Sequence, residues 1–179
     1  MPIEPDLFRQ VMRQYPTGVA VLTARADEAI HGMTANSFSS VSLTPPLALV
    51  CILRGSTTHH FVTHGGNFAL NVLSGAQIGL AQRFAKQVPL PPEPFADIPN
   101  HPAATGAPIF DHCIAYVDCR VVAAYEAGTH TIFVGMVEAA GYGSLRDAAP
   151  LLWHHREYLE MQKSLGKANW DADKRGKTG

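Results

Sequence analysis

The spacing of apolar residues along this chain changes from a helical to a strand-like period after Pro16. Apolar side chains recur at helical spacing over residues 8–15, which predicts an amphipathic helix that Pro16 ends. Short apolar runs with polar, Gly or Pro residues at their ends then predict buried strands at residues 17–24, 46–53 and 67–73.

Short helices are predicted at the connections between these strands. The hydroxyl-rich residues 56–58 can cap a helix that Gly65 and Gly66 end, and a capping box that begins at Ser74 precedes a second helical pattern. Hydroxyl groups and free N–H groups at residues 56–58, where the first of these two helices starts, also form a candidate anion site.

The second half of the chain predicts a long hairpin. Residues 112–125 alternate in strand fashion, Gly128 marks a turn, and residues 131–140 form the returning strand, with a final apolar segment over residues 150–162. Several strands, short helices at their connections and no βαβ alternation favour a closed or partly closed antiparallel barrel.

The stretch from residue 88 to residue 108 is different in character. It holds seven prolines and little periodicity, which predicts an ordered but irregular loop rather than a separate domain. Such a loop is a candidate lid over a pocket, and a simple connection is the equal alternative.

Residues 32–42 carry the most informative pattern. Hydroxyl and amide side chains are interleaved here with only three larger apolar residues, which is too polar for a buried strand. Small side chains leave backbone N–H groups approachable, and together with hydroxyl donors they suit an anion or a polyol chain without any fixed positive charge. The run is therefore a candidate ligand-binding wall, with a solvated edge strand as the alternative.

Composition narrows the classes of partner. The 179 residues carry a formal net charge of −1 and only 14 Lys plus Arg, so the chain lacks the positive footprint expected for binding nucleic acid or an anionic membrane surface. No apolar stretch approaches the ~18 residues needed to span a bilayer. Three cysteines without a CxxC pair, and an amino terminus unlike a secretory signal, favour a cytoplasmic setting.

Familiar nucleotide and metal motifs are missing. The sequence contains neither GxGxxG nor GxxxxGK[ST], so neither a Rossmann nor a P-loop site is predicted. His60 and His64 lie four apart on a predicted helix, but no nearby carboxylate or cysteine completes a ligand set, and no metal site is predicted.

A succession of short motifs is more specific than any one of them. In order they are Thr17–Thr23, Gly32–Ser42, Pro45-Pro46, Ser56–Thr58, Asn67–Leu73, Gln82–Ala85, Gly128–Gly135, and Pro150–Trp153 with Arg156 and Tyr158. Over roughly residues 5 to 160, this succession resembles the flavin reductase family, the short-chain reductases of two-component flavin monooxygenases. The resemblance implies a mainly β fold with short helices, an FMN-binding split β-barrel of antiparallel, Greek-key type, over residues 1–162. A polar tail, expected to be mobile, would follow at 163–179.

The resemblance also implies a chemistry. FMN, or FAD, would lie in a groove of the barrel, and NADH or NADPH would place its nicotinamide against the flavin ring and transfer a hydride. Reduced flavin would pass to a partner monooxygenase, and the chain would form the homodimer common in the family. A protein that holds FMN without turnover, as a flavin store or sensor, is the alternative on the same fold.

The family's flavin contacts fall on two groups of residues in this sequence. By resemblance, the ring and ribityl chain would contact Thr34, Ala35, Asn36 and Ser37, with Cys51 and Leu53 lining the ring. The ribityl and phosphate end would be surrounded by Ser40, Ser56, Thr57, Thr58, Arg83 and Phe84. Four of these residues have ordinary structural alternatives: helix capping for Ser56 and Thr57, exposure to solvent for Arg83, and core packing for Phe84.

His130 is the one candidate catalytic residue. The family has a Gly-Asp-His stretch here, with the histidine near the nicotinamide, whereas this chain has Thr129 in the middle position. An aspartate can orient or charge an imidazole, while a threonine can only hydrogen-bond to it. Met136, where the family often has glutamate, is a second departure. On the local sequence alone, a histidine beside a turn is a surface group.

Overall fold

The structure, a computed structural model, describes residues 3–161 and residue 164, so most of the predicted tail at 163–179 lies outside the described residues. Its helices are α1 Pro5–Met12, α2 Thr57–Gly65 and α3 Ile78–Phe84, with a 3₁₀ turn at Gly75–Gln77. Its strands are β1 Thr17–Gly18, β2 Ala20–Ala26, β3 Ala29–Ala35, β4 Phe38–Leu43, β5 Pro46–Leu53, β6 Asn67–Val72, β7 Asn100–Pro102, β8 Pro108–Phe110, β9 Ala115–Ala127, β10 His130–Tyr142, β11 Leu151–His154 and β12 Glu157–Glu160.

Seven strands form one antiparallel sheet in the order β3-β2-β6-β9-β10-β5-β4. The sheet curls on itself, because Leu22 of β2, Val50 of β5 and Phe133 of β10 are buried in one shared core cluster. β3 and β4 stand at the two edges although they are consecutive in the chain, so the barrel is not closed between them. The predicted mainly β, antiparallel architecture with short helices is confirmed.

The predicted long hairpin is formed by β9 and β10. The two strands pair from His130 opposite Ala127 to Tyr142 opposite Ala115, with two irregularities in register. Gly128 lies in the connecting turn with a φ of +60°, a conformation that glycine adopts without steric cost. A second sheet, β1-β11-β12, contains the final apolar segment.

α2 has the caps that its sequence predicts. The Oγ atom of Ser56 accepts a hydrogen bond from the backbone N–H of His59, and Gly66 ends the helix with a φ of +63°. The helix packs against β2, β3, β5 and β6 and so covers part of the barrel.

A second core lies between α3 and the proline-rich segment. Phe84, Ile98 and Phe110 are buried together there. Asn71, fully buried on β6, accepts a hydrogen bond from the N–H of Phe110 at 2.8 Å and so ties β6 to β8. Residues 88–108 therefore pack against this core, and they are less irregular than the sequence predicts, because they contain the short strand β7 that pairs with β8.

α1 overlaps the predicted helix but begins at Pro5 and ends at Met12, before the predicted end at Pro16, and its apolar stripe is not buried. Phe8, Val11 and Met12 are 55%, 57% and 46% exposed. The C-terminal end of the helix is nevertheless anchored, since the N–H of His155 donates to the carbonyl oxygen of Arg13 at 3.2 Å. Among the described helices, none is long and apolar enough to cross a membrane.

Candidate functional site

The connection between the two edge strands, Asn36 and Ser37, is named here the β3–β4 corner. Both residues are exposed, and their backbone N–H groups donate no hydrogen bond to the described part of the chain. Ser37 is fixed to β5 twice: its carbonyl oxygen accepts from the N–H of Cys51, and its Oγ donates to the carbonyl oxygen of Cys51, both at 2.9 Å. The corner is thus held in place while two amide donors stay available.

Two cavities meet at this corner. The smaller, of about 200 Å³, is lined by Thr34, Asn36, Trp153 and residues around them. The larger, of about 480 Å³, lies beside α1 and is also lined by Asn36, Ser37 and Trp153. The two cavities share Asn36 and Trp153 among their lining residues.

Thr34 and Ala35 are adjacent but point to different environments. The Thr34 hydroxyl lines the smaller cavity and donates to the carbonyl oxygen of Ala81 in α3 at 2.7 Å. Ala35 is only 4% exposed, and its side chain belongs to the barrel core. Because side chains alternate between the two faces of a strand, only the backbone of Ala35 can make the predicted flavin contact.

Cys51, Leu53 and His130 lie on the outward face of the barrel. Their neighbours Val50 and Ile52 are fully buried, and cross-strand pairing sets Leu53 opposite His130. The Nδ1 atom of His130 is 3.0 Å from the Thr129 hydroxyl, so the threonine that replaces the family's aspartate contacts the imidazole. Ser40 is exposed on β4, beside an irregularity of the β4–β5 pairing.

The start of α2 lies next to this outward face. Ser56 Oγ donates to the carbonyl oxygen of Leu53 at 2.8 Å, which joins the helix start to the end of β5. Within the described residues, the N–H groups of Thr57 and Thr58 have no hydrogen-bond acceptor. Thr57 is exposed, whereas Thr58 is buried with its hydroxyl 3.0 Å from Nε2 of His31. The helix start therefore offers two amide donors and the Thr57 hydroxyl to an anion.

Arg83 and Phe84 lie apart from that helix start. Both terminal nitrogens of Arg83 bind the carboxylate of Asp97, at 2.5 and 2.8 Å, and these hydrogen bonds lower the pKa of Asp97. Phe84 is 4% exposed and packs in the second core. The structure gives each a packing role and joins neither to Ser56 or Thr57.

His31 links β3 to α2. Its ring stacks on Phe61 of α2 with centroids 5.1 Å apart, and it lines a third cavity together with Lys86 and Phe95. Burial, and secondarily the charge of Lys86, lowers the pKa of His31 below its ordinary value of 6.5. The imidazole is therefore held in its neutral form, which suits its contact with the Thr58 hydroxyl.

Sequence reasoning missed three residues that line the cavities. Gln87 lines the smaller one, and Arg13 and Arg156 line the larger one. Arg156 had a signal, because it belongs to the final motif with Trp153 and Tyr158. Arg13 had none, because its place beside Arg156 depends on the packing of α1 against the β11–β12 hairpin.

Together these residues form a site of neutral donors. Hydroxyl and amide groups from the corner, β4 and the start of α2 surround an outward face that carries Cys51, Leu53 and His130. Such a set can hold a polar heterocycle and a polyol chain, and the reacting atoms can then belong to bound cofactors.

Comparison with known proteins agrees with this chemistry. Residues 12–162 match the family model described as flavin reductase like domain. The reductase subunit HsaB of a flavin-dependent monooxygenase from Mycobacterium tuberculosis is 33% identical over 173 residues, covering 96% of this chain and 90% of its own. The NADH-dependent flavin reductase StyB from Pseudomonas fluorescens is 34% identical over 160 residues, covering 87% and 89%. The crystal structure of nitrilotriacetate monooxygenase component B from Mycobacterium thermoresistibile superposes with a TM-score of 0.84 at 31% identity, covering 94% and 93%.

The lowered pKa of His31 predicts a pH dependence of stability. Because the unfolded chain takes up a proton near pH 6.5 and the folded chain does so only at lower pH, the free energy of unfolding should fall as pH drops below 6.5. The limit for one proton is about 1.4 kcal/mol per pH unit. Urea unfolding at several pH values between 7.5 and 5.5 should show a shallower decline in His31→Asn than in the wild type. Equal slopes would contradict the assignment.

Proposed function

The chain belongs to the flavin reductase-like domain family, and we propose that it transfers a hydride from NADH to a flavin held at the β3–β4 corner. We also propose that the reduced flavin leaves for a separate monooxygenase. The names of its relatives support both parts, since HsaB is a reductase subunit of a flavin-dependent monooxygenase and StyB is NADH-dependent. The observation on which the proposed position depends is the pair of available amide donors at Asn36 and Ser37.

These donors fit the pyrimidine end of an isoalloxazine ring. The flavin, when bound, supplies the atom that accepts the hydride, and negative charge develops on its ring. Backbone N–H groups that already point to the ligand stabilise such charge without reorganising. Cys51 and Leu53 would line the ring from β5, while Thr34 and Ser40 would contribute hydroxyl groups. FMN and FAD share this ring, so the same contacts serve either.

The start of α2 is the proposed phosphate site. The free N–H groups of Thr57 and Thr58 and the positive end of the helix dipole favour an anion there. Ser56 fixes the helix start through its two hydrogen bonds. The Arg83 guanidinium already binds Asp97. Arg83 would therefore contact the flavin phosphate only through a further hydrogen bond, made in addition to that pair. Phe84 would act by supporting β3 from the core.

His130 is proposed to contact the nicotinamide. It is exposed at the end of β10, opposite Leu53, and so stands at the edge of the outward face where the flavin would lie. Its partner Thr129 can orient the ring but brings no negative charge. The proposed role is therefore positioning by contact rather than proton transfer.

Subunit pairing and compartment are further parts of the proposal. A homodimer would cover apolar side chains that one chain leaves exposed, such as Phe8 and Val11 on α1. Cys51, Cys113 and Cys119 are all free thiols, which supports a reducing cytoplasmic compartment. The family match ends at residue 162, which supports a boundary there between the domain and the tail at 163–179.

Turnover tests the reductase against the flavin store. Purified protein mixed with NADH and excess FMN or FAD under air should oxidise NADH continuously, followed by absorbance, with no oxidation when flavin is left out. Tight FMN binding without NADH oxidation would favour the store. Failure to bind any flavin would contradict both functions.

Replacing Ser56 and Thr57 together with alanine should weaken FMN binding through its phosphate. The dissociation constant for FMN should rise by about tenfold, the cost of roughly one to two hydrogen bonds to a charged group. Riboflavin, which lacks the phosphate, should bind the variant and the wild type alike. Thr63→Ala, an exposed change at the other end of α2, is the control. Equal loss for both ligands would place the effect on the fold rather than on the phosphate.

His130→Ala should raise the KM for NADH by about fivefold, the loss of one modest contact, with the FMN dissociation constant unchanged. Steady-state kinetics and FMN titration separate the two effects. His101→Ala, an exposed histidine that pairs with Asp111, is the control. Unchanged kinetics in His130→Ala would remove this histidine from the nicotinamide site.

A further inference from the structure

Two histidines tie the first turn of α2 to two different strands. His31 of β3 places Nε2 3.0 Å from the hydroxyl oxygen of Thr58, and His59 of α2 places Nε2 2.9 Å from the hydroxyl oxygen of Thr131 on β10. We propose that His31 and His59 position this turn for the flavin phosphate, and that phosphate binding is coupled to the charge of His31. The inference rests on the proposed function, because it takes the start of α2 as the phosphate site.

The two hydrogen bonds reach distant parts of the large sheet. β3 is one of its edge strands, whereas β10 lies beyond β6 and β9 toward the other edge. Thr58 and Thr131 are 3% and 6% exposed, so water competes little for either hydrogen bond. The position of the turn is therefore fixed by specific side-chain contacts in addition to apolar packing.

The imidazole rings that make these contacts are themselves held in place. His31 stacks on Phe61 with ring centroids 5.1 Å apart, and His59 meets Phe133 edge-on at 5.3 Å. Groups that are fixed before a ligand arrives lose less entropy when it binds. The first turn of α2 is thus preorganised by residues that need not touch the flavin.

The residues that the histidines hold also carry the proposed phosphate donors. The backbone N–H of Thr58 has no acceptor within the described residues, and the hydroxyl of the same residue is the group that His31 contacts. His59 donates its own N–H to Oγ of Ser56, which caps the helix. Hydrogen bonds weaken steeply when donor and acceptor are misaligned. Displacing either imidazole should therefore weaken the contacts to a phosphate.

The charged groups nearest His31 are positive or already paired. Lys86 lines the same cavity as His31, and no carboxylate is among the described residues that line it. Arg25 on β2 directs its Nε to the backbone of the proline-rich segment, and Arg83 on α3 binds Asp97. Without a bound anion, these surroundings favour the neutral imidazole.

The other titratable groups packed around His31 belong to α2. His59 is directed to Thr131, and the ring of His60 lies against Phe61 and His64, with centroids 6.1 and 4.0 Å apart. None of these contacts joins a second imidazole to that of His31. The charge of His31 is therefore set mainly by burial, by Lys86 and by whatever anion binds at the start of α2.

A bound phosphate would reverse the balance at His31. Burial, and secondarily the charge of Lys86, lowers the pKa of His31 below 6.5. A phosphate dianion at the N–H of Thr58 would raise this pKa again, because a nearby negative charge favours the protonated ring. The contact with Thr58 survives protonation, since the imidazolium donates from Nε2 to the same hydroxyl. Linkage is reciprocal, so protonation of His31 should strengthen phosphate binding.

FMN and riboflavin are the probes, because they share the ring and the ribityl chain and differ in the phosphate. In fluorescence titrations of the full chain, the FMN dissociation constant should rise about fivefold in His31→Phe and in His59→Phe, the loss of one buried hydrogen bond, with riboflavin affected little. Glutamine, whose amide can take the place of Nε2, should restore most of the FMN affinity at either position. His64→Phe, at the exposed C-terminal end of α2, is the matched control and should bind both flavins as the wild type does.

The pH profile separates the charge of His31 from a purely structural role. From about pH 8 to about pH 6.5 the FMN phosphate is mostly a dianion. Over this range, the ratio of the riboflavin to the FMN dissociation constant should rise about twofold more in the wild type than in His31→Gln, which cannot take up a proton. The titration of the phosphate itself is common to both proteins and cancels in the comparison.

The inference fails if either phenylalanine variant keeps the wild-type ratio of the two dissociation constants, or if both flavins lose affinity equally, since the histidines would then act on the whole fold. It also fails if the wild type and His31→Gln have the same pH profile. This comparison decides the question even if the phenylalanine variants do not fold, as measured by circular dichroism.

Failure of this inference can be distinguished from failure of the proposed function. A protein that oxidises NADH with flavin but binds FMN and riboflavin equally would overturn the inference and leave the hydride transfer intact. A protein that discriminates the two flavins through these histidines but oxidises no NADH would overturn the hydride transfer and support the inference.

Discussion

The incomplete closure of the sheet between β3 and β4 is the constraint on which the rest of the structure depends. Strand edges carry N–H and C=O groups that a closed barrel would pair. Here the two edges diverge from Asn36 and Ser37, and the donors at that point remain available. β3 keeps its position without β4 because α3 holds it through Thr34 and α2 holds it through His31. The opening provides the proposed flavin site.

The distribution of charge fits a protein that must release its product. At the β3–β4 corner and the start of α2, the hydrogen-bond donors are neutral. Arg83, the one arginine among the predicted site residues, is paired with Asp97. Neutral hydrogen bonds contribute only about 0.5–1.5 kcal/mol each, so a flavin bound by them can dissociate for use elsewhere.

Much of the fold could be predicted from local sequence, and part of the site could not. Capping signals, apolar runs and the turn at Gly128 act over a few residues, and those elements form as expected. Three features depend on contacts between parts of the chain that are distant in sequence. They are the burial of Ala35 in the barrel core, the pairing of Arg83 with Asp97, and the cavity that Arg13 and Arg156 both line. The burial of α1 could not be predicted either. The spacing of its apolar residues predicts an apolar stripe, but it does not show whether other residues of the same chain cover that stripe. Local patterns therefore predicted the candidate ligand-binding wall at residues 32–42, while the surroundings of Ala35 and Arg83 required the tertiary structure.

The proline-rich segment is best understood as support for that wall. Gly32 lies on β3 directly against the second core, and a Cβ at this position would stand 2.7 Å from Cε1 of Phe84 and 3.0 Å from Phe95 of the segment. Only a glycine lets the strand approach so closely, and this approach places Thr34 within hydrogen-bond distance of α3. Phe95 and Ile98 fill the space behind Phe84, and Asp97 fixes Arg83 beside them. The segment thus sets the position of β3 from behind, and it contributes to the site through the packing of Phe84 and Phe95 against Gly32.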